Sequence, residues 1–353
     1  MITDDRVDSL ISVIIPVYNM VGKIEYCLNS LLNQTIINMG ESVEIIPVDD
    51  CSTDNSWDVL QKYAGRYPDI IFPVRNLVNM RQGGARNVGF ANSHGDWIAW
   101  IDADDWVASD FLEKLYFKAM ATGADMVGCI CSHVSVQTMQ VSNVLEGWGR
   151  IIPSDVMDLS DTEVQRAFIL GGGRHWAKLY KREVLFQDEN GNYTTDIFPK
   201  DMFYEDSALG VSLYLRFKKY AHIDEPLYYY YVNLESTTNK FSWEKQYDRL
   251  IAACTYLDNC NKWNIYEKFK AECDFRFIES GYVNTVCSTL NSDCSDLDKI
   301  KYISICNWVM KKHLPNFQEN MIYGSTYNSY VKNILRLAYI QPILAINKRK
   351  SSN

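Results

Sequence analysis

Between Ile11 and Ile130, short apolar runs alternate with segments of helical period, and this alternation limits the possible folds more than any other feature. ISVIIPVY, from Ile11, is apolar at consecutive positions and reads as a strand covered on both faces; Ile24, Leu28, Leu31 and Leu32 then recur at helical spacing. VEIIPV is the next strand, followed by a helix marked by Trp57, Leu60 and Ala64. IIFPV, WIAWI and ADMVGCI read as further strands, separated by the helical stretches GGARNVGFANSHG, closed by Gly95, and FLEKLYFKAMATG. The pattern predicts an α/β, Rossmann-like, mixed but mostly parallel sheet flanked by helices. Ligands of such sheets gather beyond the carboxyl ends of the strands. Both acidic clusters of the chain, Asp49–Asp50 and Asp102 with Asp104 and Asp105, fall at such ends.

The 353 residues allow a catalytic domain with an appendage. Residues 132 to 175 are weakly patterned, with turns at EGWGR and GGGRH, and strand and helix character resumes to about residue 235. Beyond it the composition turns helical, so the expected domains are 1–240, with halves of about 11–107 and 108–240, and a helical region 241–353. A net charge of −9 supplies no basic surplus for nucleic-acid binding. The ten cysteines show neither C-x-x-C nor zinc-ligand spacing, so reduced, mostly buried thiols are expected. No run approaches the ~20 apolar residues a membrane-spanning helix needs. Three aspartates precede the first apolar run, which opposes a signal peptide, and a cytoplasmic protein is the expectation.

Glycine fingerprints fail where a dinucleotide site would need them. PVYNMVGK lacks G-x-G-x-x-G, and GARNVGFA lacks the Lys-Ser/Thr of a phosphate loop. Asp50 fits two roles, a cap for the CSTDNSW turn or a carboxylate accepting a nucleoside hydrogen bond. DADD packs three carboxylates after a strand too apolar to be exposed, and these repel one another unless a cation lies between them. Oxygen ligands suit Mg²⁺ or Mn²⁺, while a solvated turn capping the helix at Ser109 is the bland reading. Arg86, at the expected start of its helix after the polar stretch Asn79 to Gly84, is placed to meet an anion. Glu205 and Asp206 at a helix start are explained by the macrodipole alone, and gain a general-base role only beside a metal–diphosphate site.

In order and spacing, SVIIPVYN, VDDCSTDNS, GGARNVG, GDWIAWIDADDW, WAKLYKRE and FYEDSAL resemble a family 2 glycosyltransferase over about residues 11 to 235. The resemblance implies a GT-A fold and inverting transfer of a sugar from a nucleotide-diphosphate donor, expected to be a UDP-sugar, to a hydroxyl of a saccharide or lipid-linked saccharide. It further implies bacterial surface polysaccharide assembly. It places Pro16 and Tyr18 beside the uracil, Asp50 on the nucleoside, Arg86 near base or diphosphate, and Asp102 and Asp104 as the D-x-D pair. The metal falls to Asp104, with Asp102 or Asp105 as further ligands. Asp206 becomes the base, and Trp176, Lys178 and Glu205 lie near the acceptor or donor sugar.

Two other readings compete. A D-x-D phosphohydrolase needs a small β-branched residue where Trp106 stands, and a degenerate binding module would have lost one of Asp102, Asp104 and Asp206. In the helical region Trp243, Trp263 and Trp308 are expected in the core. The tail from Val331 interleaves apolar residues with Lys332, Arg336, Lys348, Arg349 and Lys350. It suits either packing or peripheral contact with a membrane.

Overall fold

Strand β1 (Ile11–Val17) is buried at every position, its one polar residue, Ser12, donating to Glu44 Oε1 at 2.6 Å, and lies between β2 (Val43–Asp49) and β4 (Trp97–Trp100), parallel to both. These elements belong to a computed structural model that describes residues 10–135, 140–144, 156–171, 174–188, 190–232 and 241–350. The other strands are β3 (Val74–Arg75), β5 (Trp106–Val107), β6 (Met126–Ser135), β7 (Gln140–Val144), β8 (Val156–Asp158), β9 (Lys178–Lys181) and β10 (Lys219–Val232). The sheet runs β3-β2-β1-β4-β9-β6-β10-β5, with β7 on β6 and β8 on β10. Its first four strands are parallel; β9 is antiparallel to both neighbours, and β10 is parallel to β6. This is the mixed α/β sheet expected, with a helical C-terminal region after it.

Prolines decide where the ladders stop. Pro16 occupies a central strand because Ile14 already faces β4 there, with Ile101 N donating to Ile14 O at 3.1 Å; pairing with β4 covers only Ile11 to Ile14. Pro47 faces the other way and offers β3 no N–H. IIFPV, itself carrying Pro73, is therefore not a continuous strand: a bridge between Ile45 and Ile71 and the two-residue β3 replace it.

The helix expected to begin at Gly83 and close at Gly95 spans Arg81–Ala91 instead, so the polar stretch Arg81–Gly84 is already helical. Arg86 therefore sits in the second turn rather than at the start. The helix expected after Asp206 is split into Glu205–Leu209 and Val211–Tyr214, because Gly210 takes φ +50°. The turn at EGWGR and the boundary near residue 240 lie outside the described residues, as do Gly172 and Gly173 of GGGRH.

Two compact units emerge: Met1–Asp206 with Leu213–Leu234, and Ser207–Ser212 with Glu235–Asn353. The second is helical, and its core includes Leu250, Tyr256, Phe277, Tyr282, Tyr302 and Cys306. Trp308 departs from expectation at 63% exposed, and Trp243 and Trp263 are only partly covered. The helix Asp296–His313 turns Tyr302, Ile303, Cys306, Val309 and Met310 inward, and position 308 falls off that stripe. In the tail, Ile334, Leu335, Ala338, Ala345 and Ile346 are buried, and Asn307 Nδ2 donates to Ala338 O at 2.8 Å. The apolar stripe of the tail thus packs within its own unit. All ten thiols are free, and six are buried.

Candidate active site

At the carboxyl edge of β1 and β2, two loops are joined by polar side chains. Asn19, at φ 53°, bonds the neighbouring loop through both backbone and side chain: Asn19 N donates to Ser52 Oγ at 3.0 Å, and Thr53 N donates to Asn19 Oδ1 at 2.8 Å. Met20 N donates to Ser56 Oγ at 2.8 Å. The CSTDNSW turn is capped by Asp54, whose Oδ1 accepts from Ser56 N at 2.9 Å, and not by Asp50. Asp50 instead holds the next loop, accepting from Asn76 Nδ2 and Met80 N, both at 2.8 Å. Burial raises its pKa, against the hydrogen bonds from Asn76 and Met80. Tyr18, 44% exposed, borders this edge, whereas Pro16 is buried within β1.

The second acidic cluster resolves into three different carboxylates. Asp105 is an anchor: its Oδ2 accepts from Tyr228 Oη at 2.6 Å and its Oδ1 from Tyr231 N at 2.8 Å, fastening the turn after β4 to β10. Burial, then Asp102 and Asp104, push its carboxyl well above the usual range. Asp102 Oδ1 accepts from Arg86 Nη2 at 3.0 Å. Asp104 faces Lys23 Nζ at 4.0 Å, and its pKa is raised by burial and by Asp102.

Arg86 joins this cluster to the next. Its Nη1 bonds Glu205 and its Nη2 bonds Asp102, with the side chain only 4% exposed. Burial alone would lower its pKa, but the carboxylates of Glu205 and Asp102 outweigh it and hold the guanidinium charged. Glu205 is pushed up to about 6 by burial, with Arg86 opposing and Asp206 adding to the rise. Asn87, next along the helix, donates to Phe198 O at 2.8 Å and to Asp196 Oδ1 at 2.7 Å, and accepts from Ile197 N and Phe198 N. The dipeptide Arg86–Asn87 thus docks the segment leading to Glu205 and Asp206. Gly83 permits the same approach, since a Cβ there would lie 2.0 Å from Pro199 O.

On the far side, Trp176 stacks on Tyr228 at 4.8 Å and on Tyr230 at 5.6 Å. His175 Nε2 lies 3.4 Å from Asp206 O, and burial, then Arg86 and Lys178, hold its pKa well below the ordinary value. Lys178 is buried, donating from Nζ to Arg174 O at 2.8 Å. Through direct bonds the structure links Arg86, Asp102 and Glu205, which leads into Asp206; Asp105 and Trp176 both meet Tyr228. Pro16 and Lys178 stand behind this surface.

The residues that sequence reading missed are Asn19, Ser52, Asp54, Asn87 and Tyr228. The polar character of Asn19, Ser52 and Asp54 at strand ends signalled a turn, but only pairing between loops makes them partners. For Tyr228, one of four consecutive tyrosines, no local signal existed.

A divalent cation can be tested against this donor set. Both oxygens of Asp105 are occupied, and among the described residues no group of three His, Cys, Asp or Glu side chains is arranged to hold a metal. Asp104, with Asp102 beside it, fits the type of site in which one or two carboxylates share the ion with substrate phosphates.

Residues 12–185 match the family described as Glycosyl transferase family 2. The chain is 29% identical over 252 residues to Glycosyltransferase GlyA of Streptococcus pneumoniae, covering 70% of this chain and 34% of that protein. It is 30% identical over 229 residues to the Poly(ribitol-phosphate) beta-glucosyltransferase of Bacillus spizizenii, covering 63% of this chain and 32% of that protein. The chain thus spans about a third of the length of these two relatives. Residues 1–349 of S. aureus TarS, solved in complex with UDP-GlcNAc, share the fold with a TM-score of 0.65 at 19% identity, over 97% of this chain and 91% of that one.

Proposed function

Because the chain belongs to glycosyl transferase family 2, we propose that it transfers a sugar, with inversion, from a UDP-sugar to a hydroxyl of a saccharide or lipid-linked acceptor in surface polysaccharide assembly. One observation carries this reading: Arg86 ties the D-x-D aspartate Asp102 to Glu205, the residue before Asp206. The names of the relatives support the pathway, and the nucleotide in the TarS complex supports the donor.

In this reading Tyr18 borders the base, Asp50 positions the loop against the nucleoside, and Asp102 and Asp104 meet the donor. Arg86 already serves two carboxylates, so it orients Asp102 and Glu205 rather than binding the diphosphate. Asp104, with Asp102 beside it, would hold a divalent cation, which would supply positive charge for the diphosphate leaving group. Asp206 accepts the proton of the attacking hydroxyl, which reaches the anomeric carbon from the face opposite the diphosphate. Trp176 lies beside the sugars, and Lys178 acts through the backbone of Arg174.

Location of the protein in the cytoplasm suits a nucleotide-sugar donor. No helix among the described residues is long and apolar enough to cross a membrane. A peripheral contact has only the exposed Ile340 and Leu344 and the basic end at Lys348 to Lys350 to support it.

The test measures melting temperature with UDP, GDP, CMP and CDP, each with Mn²⁺ or a chelator. A metal-dependent rise specific to UDP is expected, because a ligand of the folded state stabilises it by mass action. A GDP-specific rise changes the donor, and no rise with any nucleotide refutes the reading. Asp206→Asn should keep the UDP rise and lower turnover by about 10²-fold or more; unchanged turnover removes Asp206 from the base role.

A further inference from the structure

The segment Arg174–His175–Trp176 is held with unusual firmness for a connection between elements. Tyr214 Oη and Lys178 Nζ both donate to Arg174 O, at 2.7 and 2.8 Å, and Tyr180 Oη donates to His175 O at 3.0 Å. His175 is buried among Trp100, Phe198 and Tyr214, and Ala177 turns the chain at φ 59°, a backbone conformation that costs an L-residue energy. This fixes Arg174 and Trp176, the half-buried residues on either side of His175.

The guanidinium of Arg174 is the unexplained group. It lies 4.8 Å from the Trp176 ring and 3.4 Å from His133 Nε2, and among the described residues no carboxylate pairs with it. Arg86, by contrast, has Asp102 and Glu205, and Arg75 has Asp49 at 3.1 Å. A partly covered arginine beside an aromatic ring, with a neutral imidazole as its other neighbour, is short of an anion. Burial, then Arg174 itself, lowers the pKa of His133, so that ring adds no competing charge near neutral pH. Tyr230, stacked on Trp176, is held protonated, its pKa pushed up to about 12 by burial and by the three aspartates, and its hydroxyl remains a donor.

We propose that Arg174, with Trp176, His133 and Tyr230, forms an acceptor subsite that selects a saccharide bearing an anionic group, a phosphate or a carboxylate, next to the sugar or polyol that receives the transferred unit. Trp176 offers a ring face to that sugar or polyol, and Arg174 pairs with its anion. His175, between Arg174 and Trp176 in the chain, lies 3.4 Å from the backbone O of Asp206, the proposed base. What the subsite serves rests on the transferase reading; that it binds an anion does not.

The experiment titrates three oligomers of matched length into the full chain in the presence of excess UDP: a phosphodiester-linked polyol, a uronic-acid oligosaccharide and a neutral oligosaccharide. Binding is followed by calorimetry for the wild type, Arg174→Gln and Arg174→Lys, and each protein's melting rise with UDP is recorded in parallel. The wild type is expected to bind an anionic oligomer about tenfold or more tightly than the neutral one, less so at high salt. Arg174→Gln should reduce that ratio to about twofold or less, and Arg174→Lys should keep most of it. Because the readout is a ratio within one protein, a general loss of folded material does not imitate it. The tighter of the two anionic oligomers identifies phosphate or carboxylate. Equal affinity for neutral and anionic oligomers in the wild type, or a ratio unchanged in Arg174→Gln, overturns the proposal. If UDP raises the melting temperature but no oligomer binds, this proposal fails alone. If the anion ratio appears without any UDP rise, the transferase reading fails instead.

Discussion

Glu205 titrates at about 6 where a glutamate ordinarily titrates at 4.5, because burial outweighs the attraction of Arg86. Between those two values the folded chain keeps a proton that the unfolded chain has released. Its contribution to stability is therefore present below pH 4.5 and lost as pH rises through about 6. Urea unfolding across this window should show the stability of the wild type falling relative to Glu205→Gln as pH increases; parallel curves would show that Glu205 is not perturbed. The sequence marked Glu205, Asp102, Asp104 and Arg86 as one chemical group. It could not assign their tasks, because Asp105 and Asp104 are neighbours in sequence and differ only in what β10 brings to one of them. Arg86 reads from the sequence as placed to meet an anion, and the fold brings two carboxylates, those of Asp102 and Glu205, to its guanidinium.

The helix Arg81–Ala91 is the element on which the site depends. Its glycines are close-approach positions: a Cβ at Gly83 would meet Pro199 O at 2.0 Å, and one at Gly89 would meet Ile14 Cγ2 at 2.4 Å. Gly83→Ala should destabilise the chain by about 1–3 kcal/mol, as forced overpacking does. Gly65→Ala, in an exposed helix with nothing within 4 Å of the added Cβ, should stabilise it by about 0.4–1 kcal/mol. Urea denaturation of the two variants gives opposite signs if the reading is right. Element type was legible from the sequence, since β1, β2 and β4 are buried on both faces and are apolar except where Ser12 pairs with Glu44 and Asp49 with Arg75. Element limits were not: Pro47 on β2 prevents a full third strand beside it, and that neighbour is set by tertiary pairing.

At the scale of the molecule, the segment Ser207–Ser212 immediately follows Asp206 and packs in the helical unit. Asn259 Nδ2 donates to Ala208 O at 2.9 Å, and Tyr256 covers Gly210. A chain ending at residue 240 removes both partners from that segment. It should keep the melting rise with UDP, whose proposed contacts lie before residue 107, and lose most of its turnover. A truncated chain as active as the full one would sink this prediction. The sequence by itself determined the type of sheet: apolar runs forced buried strands, and the acidic clusters fell at their carboxyl ends. Tertiary structure alone decided which carboxylate is an anchor, that Lys178 Nζ donates to the backbone of Arg174, and that among the described residues no carboxylate pairs with Arg174. The Asp105 anchor arises from residues 123 and 126 positions apart meeting across the sheet, and pairing of that kind leaves no local trace in the order of amino acids.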